Sequence, residues 1–331
     1  MTGPVFLTGG SGFIGGALLT RLLADGREVR ALARSEASAK VLAARGAAIV
    51  RGDLFDHGSL LEGMRGCSTV FHVAGVNAMC ARDPDPMLRT NVEGAAAVVR
   101  AAAAARVARL VFTSSASTIG EQIGEIGRED TAHRGSFLSH YERSKFLGER
   151  RVLGLGEELG VPVVCVNPSS VQGPGRTGGS ATLLLDIVNG RLPVLVNTWL
   201  SVVDITDCTA AHVLAEASGV PGRRYLVSGA SFDVRAAVTL LRRVSGRPRR
   251  AWFAPRAVAT FAGIAGGAAG RLLRRNGRIC PETVRTLLHG HRFDGSLAER
   301  ELALDYTPIE TTIRRTLSWY AERGLAPPPI G

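Results

Sequence analysis

The sequence predicts an α/β protein built on a doubly wound parallel sheet, and three observations carry that prediction. Apolar runs of strand length recur at residues 4–8, 28–33, 48–53, 70–75 and 110–113, with helix-length segments between them. A glycine-rich turn, Gly9-Gly10-Ser11-Gly12-Phe13-Ile14-Gly15, joins the first run to the first helical segment. The chain has 331 residues, of which 45% are hydrophobic, enough for one large domain or two medium ones with a substantial core.

The elements follow in order. Residues 4–8 (Pro-Val-Phe-Leu-Thr) read as a strand buried on both faces, residues 16–24 as a helix ended by Asp25-Gly26, and residues 28–33 as the second strand. Strand, glycine turn, helix and strand make a right-handed βαβ unit. Lacking a Cβ, the glycines permit a tight turn, close approach of the backbone to a pyrophosphate, and close helix–strand packing. The helix N-terminus then offers free N–H groups and the positive end of its dipole to phosphate. The strand before the turn and the helix after it make dinucleotide binding the expected function of this unit.

The end of the second strand reads Leu32-Ala33-Arg34-Ser35, with no carboxylate before Glu36. A carboxylate there would accept from a ribose 2′-hydroxyl and favour NAD; an arginine accommodates a 2′-phosphate. Arg34, with Lys40 as a helper, therefore points to NADP as the preferred cofactor and NAD as the alternative. Asp53, closing the third strand, is a candidate for the adenine amino group or else a helix cap. His72, in the fourth strand, reads as a hydrogen-bonded strand-end residue. His289-Gly290-His291 is a pair with no third ligand at useful spacing, so no metal site is expected.

Composition excludes several classes. Lys+Arg 40 against Asp+Glu 29 gives +11, yet only two lysines are present and aromatics are 5%, so the arginines read as solvated rather than as a nucleic-acid surface. Five scattered cysteines (Cys67, Cys80, Cys165, Cys208, Cys280) without CxxC spacing argue against a disulfide scaffold and for a reducing, cytoplasmic setting. The uncharged stretch at 257–270 is shorter than the roughly 20 residues needed to span a bilayer and reads as a buried or lid helix; no transmembrane segment is expected. The uncharged residues 1–20 lack the basic start of a signal sequence.

The fifth strand runs into Ser114-Ser115-Ala116-Ser117, and further on lies Tyr141-Glu-Arg-Ser-Lys145. Four residues apart, Tyr141 and Lys145 share a helix face. An ammonium beside the phenol, with a cationic nicotinamide, would lower the tyrosine pKa and make Tyr141 a usable proton donor to a developing alkoxide.

Taken together, residues 8–15, Gly52-Asp53, His72-Val73-Ala74-Gly75, Asn91-Val92-Glu93-Gly94, Ser114-Ser115-Ala116, Tyr141-xxx-Lys145 and Asn167-Pro168-xx-Val171-xx-Pro174-Gly175 resemble the extended short-chain dehydrogenase/reductases. These include the NAD-dependent epimerase/dehydratases and the dihydroflavonol-reductase-like enzymes. The C-terminal Leu226-Val227-Ser228-Gly229 and Tyr306-Thr307-Pro308, with a helix at 313–320, most resemble the dihydroflavonol-reductase and hopanoid-associated sugar epimerase branches.

The resemblance implies a Rossmann-type domain over residues 1–166, rejoined by 202–229, and a smaller, mostly helical substrate-binding cap from 167–201 and 230–331. It implies Ser115, Tyr141 and Lys145 as catalytic residues. The implied cofactor contacts are Gly9, Gly12, Phe13, Ile14, Arg34, Asp53, Leu54, Ala74, Tyr141, Lys145, Pro168 and Val171. Asn91 is expected as a helix-kink or relay residue, with Ser114 and Ser117 supporting the site. Many members dimerise through a bundle that includes the Tyr-Lys helix, so a homodimer is the expected assembly. In the cap, residues 173–180 are expected as a mobile loop, 182–188 and 235–244 as helices, and 192–196 and 200–205 as strands.

One absence is informative. Nucleotide-sugar enzymes of this family commonly carry an arginine seven residues before the aspartate that Asp207 matches here, and that position is Leu200. A leucine cannot neutralise a diphosphate, although Arg176 or Arg191 could substitute. The expected function is an NADPH-dependent reductase of a ketone or aldehyde on an uncharged or hydrophobic small molecule. The alternatives are a nucleotide-sugar epimerase or dehydratase holding NAD, and a non-catalytic NADP-binding regulator.

Overall fold

Seven strands form one parallel sheet: β1 (Val5–Thr8), β2 (Val29–Ala33), β3 (Ala48–Arg51), β4 (Thr69–His72), β5 (Arg109–Thr113), β6 (Val163–Pro168) and, after an excursion, β10 (Arg224–Val227). The structure is a computed structural model describing residues 3–192, 194–246, 251–272 and 280–328. The strand order is β10-β6-β5-β4-β1-β2-β3, so the winding direction reverses between β1 and β4. Ligands of such sheets bind in the crevice at that reversal, beyond the carboxyl ends of the strands.

Burial on both faces explains the continuous apolar runs of β1, β4, β5 and β6, whereas β3, at the sheet edge, is partly exposed. In β1, Val5 and Leu7 pack with Leu18, Leu22 and Ala211 on one face, while Phe6 packs with Leu60, Met64 and Val98 on the other. The helices responsible are Phe13–Ala24 and Ile205–Ser218 on the first face, and His57–Met64, Ala95–Ala104 and His140–Leu159 on the second.

The remaining strands form two small sheets. β7 (Ser170–Gln172), β9 (Trp199–Asp204) and β11 (Ala230–Asp233) make one, in the order β11-β9-β7; β8 (Val194–Leu195) and β12 (Trp252–Phe253) make the other. Pro193, within the strand expected at 192–196, lies outside the described residues. The return expected at 202–229 begins later, because β9 pairs in the small sheet and the chain rejoins the large one at the Ile205–Ser218 helix. The Ser180–Val188, Val234–Ser245 and Ile309–Glu322 helices share a third core around Leu184, Leu241, Leu317 and Tyr320.

Two expectations are corrected. Cys80 and Cys280 form a disulfide across 200 residues, while Cys67, Cys165 and Cys208 are buried thiols. The fold brings the loop after β4 to the start of the Pro281–His289 helix, a proximity that cysteine spacing does not encode. The uncharged stretch forms the Arg256–Leu272 helix, but it is not buried: Phe261 is 73% exposed and Ile264 59%. Its small face is what packs. A Cβ on Gly263 would lie 2.7 Å from Val284, and one on Gly267 2.8 Å from Pro281, so the larger side chains turn outward. Among the described residues, no helix is long and apolar enough to cross a membrane.

Candidate active site

The glycine turn sits at the carboxyl end of β1. Gly9 has φ +74°, and a Cβ there would lie 2.6 Å from the Ala74 amide; one on Gly15 would lie 2.1 Å from the Gly9 carbonyl. Both positions therefore exclude a side chain, the first by conformation as well as space. Gly12 is the N-cap of the Phe13–Ala24 helix, which has no side-chain cap and no acidic residue in its first turn. Its leading N–H groups, those of Phe13 and Ile14 among them, are thus available to an anion. Thr8 Oγ1 ties the turn to β4, hydrogen-bonding His72 Nδ1 at 2.7 Å and accepting from the Ala74 amide at 3.2 Å. Burial and the Lys145 charge pull the His72 pKa down to about 3, so this histidine stays neutral.

Around the crevice, Arg34 is exposed just beyond β2 and makes no hydrogen bond or ion pair among the described residues. Neighbouring Ser35 caps the Glu36–Ala43 helix, and Glu36 pairs with Arg51 at 2.5 Å. Arg34 is therefore free to meet a phosphate. Asp53, beyond β3, accepts from the Phe55 amide at 2.7 Å and does not cap the following helix; Asp56 does, through the Ser59 amide. Leu54 beside it is buried. These features fit a dinucleotide: a glycine cradle that any Cβ would fill, an uncapped helix start and a free guanidinium at the ribose position.

The chemical candidates converge from β5 and the His140–Leu159 helix. Ser115 follows β5, accepts from Ser117 Oγ at 3.0 Å and is hydrogen-bonded to the half-buried Tyr141. Lys145, one helical turn on, is buried with its Nζ donating to the Thr113 carbonyl at 2.8 Å and 4.9 Å from the Phe112 ring centre. Burial pulls its pKa down to about 8, against the attraction of Glu149 a further turn along. Pro168 ends β6 and Val171 lies buried in β7, both at the same edge of the crevice.

The electrostatic expectation for Tyr141 is corrected. Burial raises its pKa above the ordinary value; the opposing influences are the Ser115 hydrogen bond and the charge of Arg176, not that of Lys145. The ammonium is directed at a β5 carbonyl, whereas Arg176 reaches the phenol from the segment after β7. Its guanidinium also lies 5.4 Å over the Phe13 ring, so it links the phenol to the glycine turn. Arg176 donates to the Val171 and Gly178 carbonyls, and Tyr320 Oη donates to the Arg176 carbonyl at 3.0 Å. The loop expected to be mobile at 173–180 is thus tied to both neighbours.

One supporting group escaped the sequence reading, and a second, Asn91, takes the helix-kink position expected of it. Glu149 lies on the same helix face as Tyr141 and Lys145, and its buried carboxylate takes bonds from Thr118 Oγ1, Asn167 Nδ2 and Arg224. Its spacing of four from Lys145 was the available signal. Asn91 sits in a π-helical segment, Arg89–Gly94, its amide clasping both backbone groups of Val76 and donating to Ser144 Oγ at 2.8 Å. That kink lets Gly148 approach the Asn91 carbonyl, where a Cβ would stand at 2.3 Å.

Comparison with known proteins agrees with this geometry. Residues 5–228 match the family model described as the NAD-dependent epimerase/dehydratase family. A putative dihydroflavonol 4-reductase of Synechocystis sp. is 30% identical over 329 residues, covering 96% of this chain and 95% of that protein. Sterol demethylase protein B of Methylococcus capsulatus is 31% identical over 326 residues, covering 96% and 98%. Among solved structures, gox2253 superposes with a TM-score of 0.85 at 26% identity, covering 98% of this chain and 99% of that one. The chain belongs to the NAD-dependent epimerase/dehydratase family and is an NAD(P)-dependent oxidoreductase of the extended short-chain dehydrogenase/reductase type.

Proposed function

We propose that the protein is an NADPH-dependent reductase of a ketone or aldehyde carried on an uncharged, hydrophobic small molecule. The observation that carries this reading is Tyr141: a half-buried phenol, hydrogen-bonded to Ser115 and held above its ordinary pKa, which bears its proton at neutral pH. Bound in this crevice, reduced nicotinamide supplies a hydride to a carbonyl carbon. The Phe13 and Ile14 N–H groups would hold the pyrophosphate, with Gly9 and Gly12 letting the backbone approach it, Arg34 the 2′-phosphate, and Asp53 with Leu54 the adenine. Ala74, Pro168 and Val171 line the nicotinamide, and Lys145 holds its ribose. Ser115 orients the carbonyl oxygen, and Tyr141 passes its proton to that oxygen as negative charge develops there.

Leu200 supports the substrate class. In β9 it packs with Leu195, Val234 and Phe253, so the side chain at this position is committed to apolar packing and offers a sugar diphosphate no charge of its own. The names of relatives point the same way. A ketoreductase of Stigmatella aurantiaca that acts on a farnesylated quinoline oxide is 32% identical over 251 residues.

The test is oxidation of NADPH, followed by its absorbance, with hydrophobic ketones and aldehydes. Turnover is expected with NADPH in preference to NADH, falling about 100-fold or more in Tyr141→Phe. Protein that purifies with bound NAD and consumes no cofactor is an epimerase or dehydratase, and the reductase reading fails. A biological activity unaltered by Tyr141→Phe would identify a regulator instead.

A further inference from the structure

We propose that Glu121, His289 and His291 form a binding site for a divalent metal of the zinc class, apart from the Ser115–Tyr141–Lys145 centre. The sequence shows only the His-Gly-His pair; the fold supplies the third group from the segment after β5. Glu121 Oε1 lies 2.6 Å from His291 Nδ1 and 3.4 Å from His289 Nε2, and the three ligand atoms lie within 4.8 Å of one another.

The site is built rather than accidental. Glu121 is 1% exposed, and its Oε2 is buried with no hydrogen-bond partner. Gly290 has φ +74°, and a Cβ on it would lie 2.6 Å from Thr198 Oγ1, so only glycine allows the turn that brings the two imidazoles together. Ser201 Oγ donates to the His291 carbonyl at 3.0 Å, and the His291 ring stacks on Phe293 at 5.5 Å. The nearby Arg134 donates to the Glu121 backbone carbonyl at 3.2 Å, and its guanidinium is paired with Glu142, so it does not occupy the Glu121 carboxylate.

A simple clamp between the two segments needs one imidazole and one carboxylate oxygen. Here two imidazoles converge on a single oxygen while the other oxygen is unused, as expected when three groups aim at one point. Zinc bonds of about 2.0–2.2 Å to nitrogen and oxygen place tetrahedral ligand atoms roughly 3.3 Å apart. His289 already stands at that separation, and His291 needs to withdraw by roughly 0.7 Å. Two imidazoles and a carboxylate without thiolate suit Zn²⁺ or a similar borderline ion rather than Ca²⁺ or Mg²⁺. Three protein ligands leave a fourth position for water, and His289 also lines a cavity of about 250 Å³ with Trp199, Asp233 and Arg256. A bound ion there would fasten the segment after β5 to the chain beyond the Pro281–His289 helix.

The experiment is titration of tag-free, EDTA-treated protein with Zn²⁺ by calorimetry, with metal analysis of the dialysed product and visible spectra of the Co²⁺ form. One ion per chain is expected, with Co²⁺ bands of tetrahedral type and a Zn²⁺-dependent rise in melting temperature. Glu121→Gln, His289→Ala and His291→Ala should each weaken binding by about 100-fold or more, whereas Cys80→Ser/Cys280→Ser should leave it unchanged. Where a variant does not fold, the stoichiometry and Co²⁺ spectrum of the wild-type protein decide. Failure to retain one ion per chain overturns the proposal, as does Zn²⁺ binding that survives all three substitutions or disappears with the two cysteines.

Discussion

Lys145 offers a quantitative test of the crevice. Burial draws its pKa from 10.5 to about 8, even though Glu149 partly offsets the desolvation. That displacement corresponds to about 3 kcal/mol between the charged and neutral forms, at 1.36 kcal/mol per unit. With the phenol of Tyr141 held above its ordinary value, Lys145 is the group that loses its proton first as pH rises. The expected outcome is that kcat/KM for NADPH, which reports the free enzyme, declines with a single-proton alkaline limb near pH 8. In Lys145→Arg, whose side chain keeps its charge above about pH 12, the limb should vanish on a lower plateau. Stability has its own sign. Because the folded value lies below the unfolded one, the unfolded chain binds the extra proton between about pH 8 and 10.5, so folding gains up to about 3 kcal/mol across that interval. Urea melts at both ends of the interval should show this gain in the wild type and not in Lys145→Met. A limb unmoved by Lys145→Arg, or a wild-type profile flat to the tyrosine range, would refute the placement of this ammonium.

The remaining predictions concern the turn, the cofactor and the cross-link. Gly15→Ala places a methyl 2.1 Å from the Gly9 carbonyl, so the turn must open; about 1–3 kcal/mol of strain is expected, read as a lower melting temperature and at least tenfold weaker NADPH binding by fluorescence titration. Arg34→Ala removes a charge-assisted contact of about 1.5–3 kcal/mol, so KM for NADPH should rise about 10- to 100-fold while that for NADH stays constant; an equal effect on both cofactors counts against a 2′-phosphate contact. Cys80→Ser/Cys280→Ser releases a loop spanning 200 residues, for which chain entropy sets an upper value of about 5 kcal/mol, measured as the shift in a urea midpoint.

How much of this was legible depends on the range of the signal. The five strands of the first half and the glycine turn were readable because each is specified within a few residues: apolar runs for a sheet covered on both faces, glycines where a Cβ collides. The Tyr141–Lys145 pair was readable for the same reason, since helical spacing fixes which residues share a face. What spacing does not fix is where a long side chain sends its charge. Lys145 turns its ammonium to the Thr113 carbonyl, and the charge acting on the phenol comes from Arg176, which only the return of the chain through β7 brings near.

The same distinction explains the two features that the sequence concealed. Cys80 with Cys280, and Glu121 with His289 and His291, are each assembled from segments on either side of more than half the chain. Both involve the Pro281–His289 helix, the disulfide at its start and the imidazoles at its end. The loop after β4 and the segment after β5 issue from adjacent strands at the crevice edge, so one short helix is held against both. Glu282 of that helix accepts from the His140 amide at 2.9 Å, so under the proposed function a substrate entering beside Tyr141 would meet a wall fastened at two points. Cutting either tie should alter KM for the carbonyl substrate more than kcat, because neither tie touches the phenol, the serine or the ammonium. A kcat effect in the cysteine double variant with an unchanged KM would contradict that division of roles.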